Sequence, residues 1–296
     1  MKPGRPSSIA RCAPRLSAAL LALALGGPAS AAELRTETLT LTLDDGRELA
    51  AQLRIPENAR GRLPALMLFG GFRRAAQVLD LVHSERPLVW ATFDYPFEAP
   101  RKFRFPSSLS DAPAARAAIH GTFEGVVKLH EALARHPAVD PARITVVGAS
   151  AGAPFATVGA ARSPIPGVIL VQGMGDVTAV IENLIYRKYR ENRGEWVRWP
   201  ARWLARWINW YCEIPDIAAQ ARTLRASQKV LMFTASEDDF IPKAATESLW
   251  TALKESPAKV ERIDVEGLHL GVGDDSERIA DLLHRSMAWM ERNGLL

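Results

Sequence analysis

Hydrophobic and polar positions follow two rhythms along this chain, and the change between them divides it. Residues 37–43, ETLTLTL, alternate strictly, DDGR makes a turn, and ELAAQLRI follows, which predicts an antiparallel hairpin near the start of the fold. The runs LPALMLFGG (63–71), PLVWATFDYP (87–96), ITVVGA (144–149), GVILVQG (167–173) and KVLMFTAS (229–236) are apolar almost throughout. Unbroken runs of this length suit parallel strands covered on both faces. KVERIDVEG (259–267) reads as a last strand. Helical periodicity falls between them, over 73–84, 108–136, the stretch after Ser150, 243–255 and 274–293, with HPAVDPAR (136–143) as a turn. Strands alternating with helices predict a mainly parallel sheet with right-handed crossovers, carrying the hairpin at one edge.

One segment breaks the alternation. Residues 174–228 contain no strand pattern and are too long for a plain loop. They read as helices inserted between two strands, a cap over the sheet.

The first 31 residues stand apart. Lys2, Arg5, Arg11 and Arg15 precede the apolar run LSAALLALAL and the small-residue stretch GGPASAA. A basic start, a short apolar core and an Ala-x-Ala ending at Ala31 predict a cleaved secretory signal, and hence a periplasmic or secreted protein, with residues 32–296 as one domain. The apolar run is too short to span a bilayer comfortably. Removing the segment changes the electrostatics. The whole chain has a formal charge of +4, but four of its 37 Lys and Arg lie in the signal, leaving 33 against 33 Asp and Glu. A neutral remainder gives no reason to expect a nucleic-acid partner. Of the two cysteines, only Cys212 remains, so no internal disulfide can form and the core must stabilise the fold.

The chemistry centres on GASAG, residues 148–152, between the strand 144–149 and a helix. A serine raised on a tight strand-to-helix turn needs small neighbours two positions before and after it, and Gly148 and Gly152 meet that demand. A serine hydroxyl is a poor nucleophile until a base takes its proton. His83, His120, His130 and His284 fall in helical stretches and His136 ends one, whereas His269 stands in the glycine-rich VEGLHLGVG, just after the last strand. Loops at the C-terminal edge of a parallel sheet gather catalytic groups in such folds. The base needs an acid to orient it. TASEDDFIP offers Glu237, Asp238 and Asp239, and Asp176 is a further candidate. Two backbone donors should face the developing oxyanion: the amide of Ala151, and one from Gly71 or Phe72. No group of potential ligands has metal spacing, so neither a metal nor an organic cofactor is expected.

Together these residues resemble the α/β-hydrolase superfamily. DPARITVVGASAG is similar to its approach to the nucleophile, ASEDDFIP to its acid loop and EGLHLG to its histidine loop, in the order Ser150, Asp238, His269. The resemblance covers nearly all of the chain beyond residue 31. It implies a three-layer α/β-hydrolase fold, a mainly parallel central sheet with a helical insertion. Within the superfamily the hairpin and glycine-rich loop look most like the dienelactone-hydrolase and prolyl-oligopeptidase branch, which acts on esters or peptides without a metal. Two departures blur the substrate: Phe69-Gly70-Gly71-Phe72 stands where His-Gly is frequent, and Gly152-Ala153 where Gly-Gly is.

The expectation is a serine hydrolase cleaving small carboxylic esters. Its alternatives are a peptidase on the same triad, a membrane-interface lipase, or a binding protein that kept the scaffold. Trp196, Trp199, Trp203, Trp207 and Trp210 occupy one helical face, with Arg198, Arg202 and Arg206 beside it. Three readings of this stripe compete. It packs the insertion onto the core, it lines the substrate site, with Trp203 and Trp207 as substrate-binding candidates, or it lies on a membrane surface.

Overall fold

Side chains along the central strands point alternately to two separate cores, and this fixes the layers. In the computed structural model, which describes residues 33–58, 60–71, 75–80, 86–96, 111–271 and 276–296, eight strands form one sheet in the order β1-β2-β4-β3-β5-β6-β7-β8. The strands are β1 (Leu34–Thr42), β2 (Glu48–Pro56), β3 (Leu63–Phe69), β4 (Val89–Phe93), β5 (Val139–Ala149), β6 (Gly167–Val171), β7 (Lys229–Ala235) and β8 (Lys259–Val265). β2 pairs antiparallel with β1 and with β4, and every pairing from β4 to β8 is parallel. Of the eight strands, β2 alone runs against the rest.

The helices are α1 (Ala75–Asp80), α2 (Ala112–Arg135), α3 (Gly152–Arg162), α4 (Val177–Arg193), α5 (Arg198–Tyr211), α6 (Ile217–Arg222), α7 (Lys243–Glu255) and α8 (Ser276–Arg292). Ala65, Met67, Val168, Leu170, Val230 and Met232 join the core shared with α2, α3, α6 and α7. Their neighbours Leu66, Leu68, Ile169, Val171, Leu231 and Phe233 join the core shared with α1 and α8. This is the period-two pattern of strands buried on both faces.

Three details differ from the sequence reading. β5 begins at Val139, inside the stretch expected as a turn, because Val139 pairs with Leu63 before an irregularity shifts the register to Ala65–Ile144. The segment 174–228 is not one insertion standing over the sheet. Ile217 and Ala221 of α6 are fully buried in the main core with α3 and α7, so its C-terminal end belongs to the sheet's own helical layer. The tryptophan stripe does not pack the insertion onto the core. Ala201 and Ala205 are the buried face of α5, and all five tryptophans stand exposed. Residues 1–31, Phe72 and His83 lie outside the described residues.

One buried histidine carries a pH signature. His130 of α2 shares a 2.7 Å hydrogen bond between its Nδ1 and Ser163 Oγ. Burial holds the imidazole below its ordinary range, and the Glu131 carboxylate opposes this only in part. The unfolded chain takes up a proton near pH ~6.5, whereas the folded one does so only at lower pH. This share of stability is therefore intact above that value and declines as pH falls toward the folded-state value. His130→Gln should lessen the drop in melting temperature between about pH 7 and pH 5. Parallel curves for variant and wild type would contradict this.

Candidate active site

The chain runs from β3 to β4 on one side and returns to β5 on the other, so β3 and β5 are neighbours at a topological switch point. Their C-terminal ends open a crevice there, the usual ligand position in open α/β sheets. Gly70 and Gly71 leave one strand and Ser150 the other.

Ser150 has φ 53, the left-handed region that side chains rarely adopt. Its backbone N–H donates to the Val171 carbonyl at 2.8 Å, and α3 begins two residues later. The turn is that tight because both flanking glycines let chains touch. A Cβ on Gly152 would lie 2.0 Å from the Phe69 carbonyl oxygen, and one on Gly148 2.6 Å from the Ala156 Cβ. Neither position could carry a side chain without moving backbone.

Ser150 Oγ lies 2.8 Å from His269 Nε2, and His269 Nδ1 lies 2.7 Å from Asp238 Oδ2. An ionised carboxylate only accepts, so Nδ1 carries the ring proton and Nε2 is left to accept from the serine hydroxyl. The Asp238 and His269 side chains are more than nine-tenths buried. The other Asp238 oxygen, Oδ1, accepts from the N–H groups of Phe240 and Ile241 at 3.0 and 2.9 Å. The remaining carboxylates are elsewhere. Glu237 is exposed, Asp239 pairs with Arg187, and Asp176 caps α4 by accepting from the Ala179 N–H.

Gly71 lines the crevice beside Ser150, and the Ala151 and Gly71 N–H groups make no hydrogen bond among the described residues. Tyr95 O–H donates to the Gly70 carbonyl at 2.6 Å and so fixes the turn that carries Gly71. Burial pushes the Tyr95 phenol upward, so it stays a donor.

From Ser150 a cleft of about 420 Å³ runs between the sheet and α8. Leu66, Leu68 and Trp90 form its sheet side, and Ile279, Leu283 and Ser286 its helix side. None of its described lining residues is charged. Trp203 and Trp207 are absent from that lining and stand 66% and 39% exposed, which removes them as candidates for contact with a substrate in this cleft. Among the described residues no group of three or more His, Cys, Asp or Glu could hold a metal ion.

Two supports were not visible from sequence patterns. Phe240 stacks on the His269 ring at 5.2 Å, and the Arg187 guanidinium of α4 lies 4.6 Å from the centre of the Phe240 ring on its own account. Gln172, immediately after β6, is 2% exposed with φ 51. Its side-chain amide donates to the Leu268 carbonyl at 3.2 Å and accepts from the Leu270 N–H at 2.8 Å, gripping the chain on both sides of His269. The only sequence signal is a polar residue closing an apolar strand. Gln172→Met keeps the length and loses both bonds. It should lower kcat by about 10- to 100-fold with little change in KM, since small displacements of a reacting group cost that much. An unchanged kcat would show that the histidine loop holds its own position.

No curated protein matches the chain. The fold is shared with a protein from Klebsiella pneumoniae subsp. pneumoniae assigned as a dienelactone hydrolase (15% identity, TM-score 0.61, covering 88% of this chain and 99% of that one). It is also shared with a puromycin-hydrolyzing peptidase of Mycobacterium tuberculosis (17%, TM-score 0.63, 86% and 39%) and with acetyl xylan esterase 1 from Thermoanaerobacterium sp. (14%, TM-score 0.54, 85% and 87%). These likenesses establish the α/β-hydrolase fold. Residues 115–294, more than half of the chain, match the sequence profile of the prolyl oligopeptidase family and carry the serine, the aspartate and the histidine described above. The chain is a serine hydrolase and belongs to the prolyl oligopeptidase family.

Proposed function

We propose that the protein hydrolyses carboxylic esters with an apolar acyl group, through an acyl-enzyme on Ser150. The observation that carries this reading is the cleft opening at the Ser150 hydroxyl, whose described lining offers no charge to a peptide's amino terminus. In the proposed reaction the Ser150 oxygen attacks the acyl carbon as its proton passes to His269 Nε2. The Ala151 and Gly71 N–H groups receive the tetrahedral oxyanion, each such donor contributing about 3 kcal/mol in comparable sites. Asp238 stabilises the imidazolium through the Nδ1 proton. His269 then returns the proton to the departing alkoxide as the ester C–O bond breaks. A water molecule, deprotonated by the same ring, releases the acid.

A nitrophenyl ester series of graded acyl length tests this. If the acyl chain enters the cleft, kcat/KM should rise roughly fourfold per methylene, the equivalent of about 0.8 kcal/mol each, and then level off as the space fills. No dependence on chain length would remove the cleft from the reading. The family match and the peptidase neighbours favour a second reading, hydrolysis of peptide bonds by the same triad. Faster turnover of peptide anilides than of any ester in the series would select it.

We also propose that the protein acts outside the cytoplasm, on the strength of the basic and apolar pattern in residues 1–31. The amino terminus of the exported protein should then be Ala32. Recovery of the uncleaved chain from the cytoplasm alone would overturn it.

A further inference from the structure

Nine large apolar side chains stand exposed among the described residues, and seven belong to α4 and the segment 196–210. Scattered exposed apolar residues are ordinary, but a concentration of this kind marks a contact surface. Val197, Ala201 and Ala205 turn inward, where small side chains let α5 pack closely. Trp196, Trp199, Trp203, Trp207 and Trp210 turn outward and are 39–72% exposed.

Charge identifies what such a surface would meet. Beyond residue 31 the chain is balanced, yet residues 187–206 carry seven basic residues against two acidic ones, Glu191 and Glu195. α5 itself has Arg198, Arg202 and Arg206 and no acid. Each of these arginines lies about 100° around the helix from the tryptophan that follows it, so cations border the indole row along one side. Arg202 reaches Glu182 at 3.3 Å, while Arg206 makes no ion pair among the described residues. A second copy docked through the same face would oppose arginines with arginines. Indoles favour the boundary between headgroups and acyl chains, and guanidinium groups bind phosphate in pairs of hydrogen bonds. No helix among the described residues is long and apolar enough to cross a membrane, so a helix of this kind would lie along the surface.

We propose that the outer face of α5 docks the protein on an anionic lipid bilayer, with the tryptophans at the headgroup boundary and Arg202 and Arg206 on lipid phosphates. The inference is independent of the substrate.

Sedimentation of the full chain with vesicles tests it, comparing phosphatidylcholine alone with vesicles containing about 30 mol % phosphatidylglycerol. The protein should sediment with the anionic vesicles, and about 0.5 M salt should weaken binding. Arg202→Gln with Arg206→Gln should reduce partitioning about fivefold per arginine. Trp199→Ala with Trp210→Ala should reduce it as strongly, with hydrolysis of a soluble short-chain ester unchanged. Three results would overturn the proposal: no partitioning onto anionic vesicles, equal partitioning of wild type and both variants, or light scattering that shows a dimer lost in the tryptophan variant.

Discussion

Ser150→Ala should abolish turnover, on the order of a 10⁶-fold loss in kcat, and leave the protein folded. A fluorophosphonate should label the wild type covalently and the variant not at all. The reasoning begins with the backbone. Ser150 is held at φ 53 by the hydrogen bond to Val171 and by two glycines that admit no Cβ, and alanine accepts that conformation no worse than serine. The substitution therefore removes one oxygen from a half-buried position and little else. What remains would be the donors at Ala151 and Gly71 and the cleft, which can still bind an ester but have nothing to attack it with. Equal labelling of both proteins, or of neither, would return the chain to the class of binding proteins that merely keep the scaffold.

Asp238→Asn should lower kcat by about 10⁴-fold with the fold intact. An asparagine has one acceptor oxygen where aspartate has two. At this position the N–H groups of Phe240 and Ile241 both point at Oδ1 and require an acceptor. The amide oxygen will settle there, which turns the NH₂ toward His269. Nδ1 must then accept, the ring proton moves to Nε2, and the ring can no longer take the proton of Ser150. Amide substitutions at Glu237 or Asp239 should cost far less, since neither side chain touches the ring. Comparable losses at all three positions would mean that local charge, rather than the tautomer, governs the rate.

The three residues of the hydrogen-bonded row, proposed as nucleophile, acid and base, stand out along the chain because each sits at a strand end marked by turn residues. Strand order then brings those ends together across 119 residues between Ser150 and His269. The support of the site was harder to read. Gln172 acts through a loop distant in sequence, and no local pattern ties a glutamine to the two residues flanking a histidine. The register shift at Leu63 and Ala65 hid the first five residues of β5, because Asp140 and Pro141 look like a turn when pairing is ignored. The α5 helix shows a limit of periodicity itself. A 3.6-residue rhythm separates a tryptophan face from an alanine face but does not say which one turns inward. Close packing selected the smaller side chains. The cleft, finally, is a property of how α8 meets the sheet, and spacing along one segment carries no trace of it.

The space beside Ser150 lies within a layer that elsewhere is filled by side chains such as Trp289, Met290 and Leu295. Apolar walls that no other side chain covers forgo packing contacts made elsewhere in the layer, so the molecule gives up cohesion where, in the proposed reaction, it would receive an acyl chain. An apolar inhibitor seated there would act as the missing packing and raise the melting temperature in step with its occupancy. Ser286→Leu would do the same permanently, yielding a more heat-resistant protein that turns over long-chain substrates poorly. In this fold, endurance and reach draw on one volume.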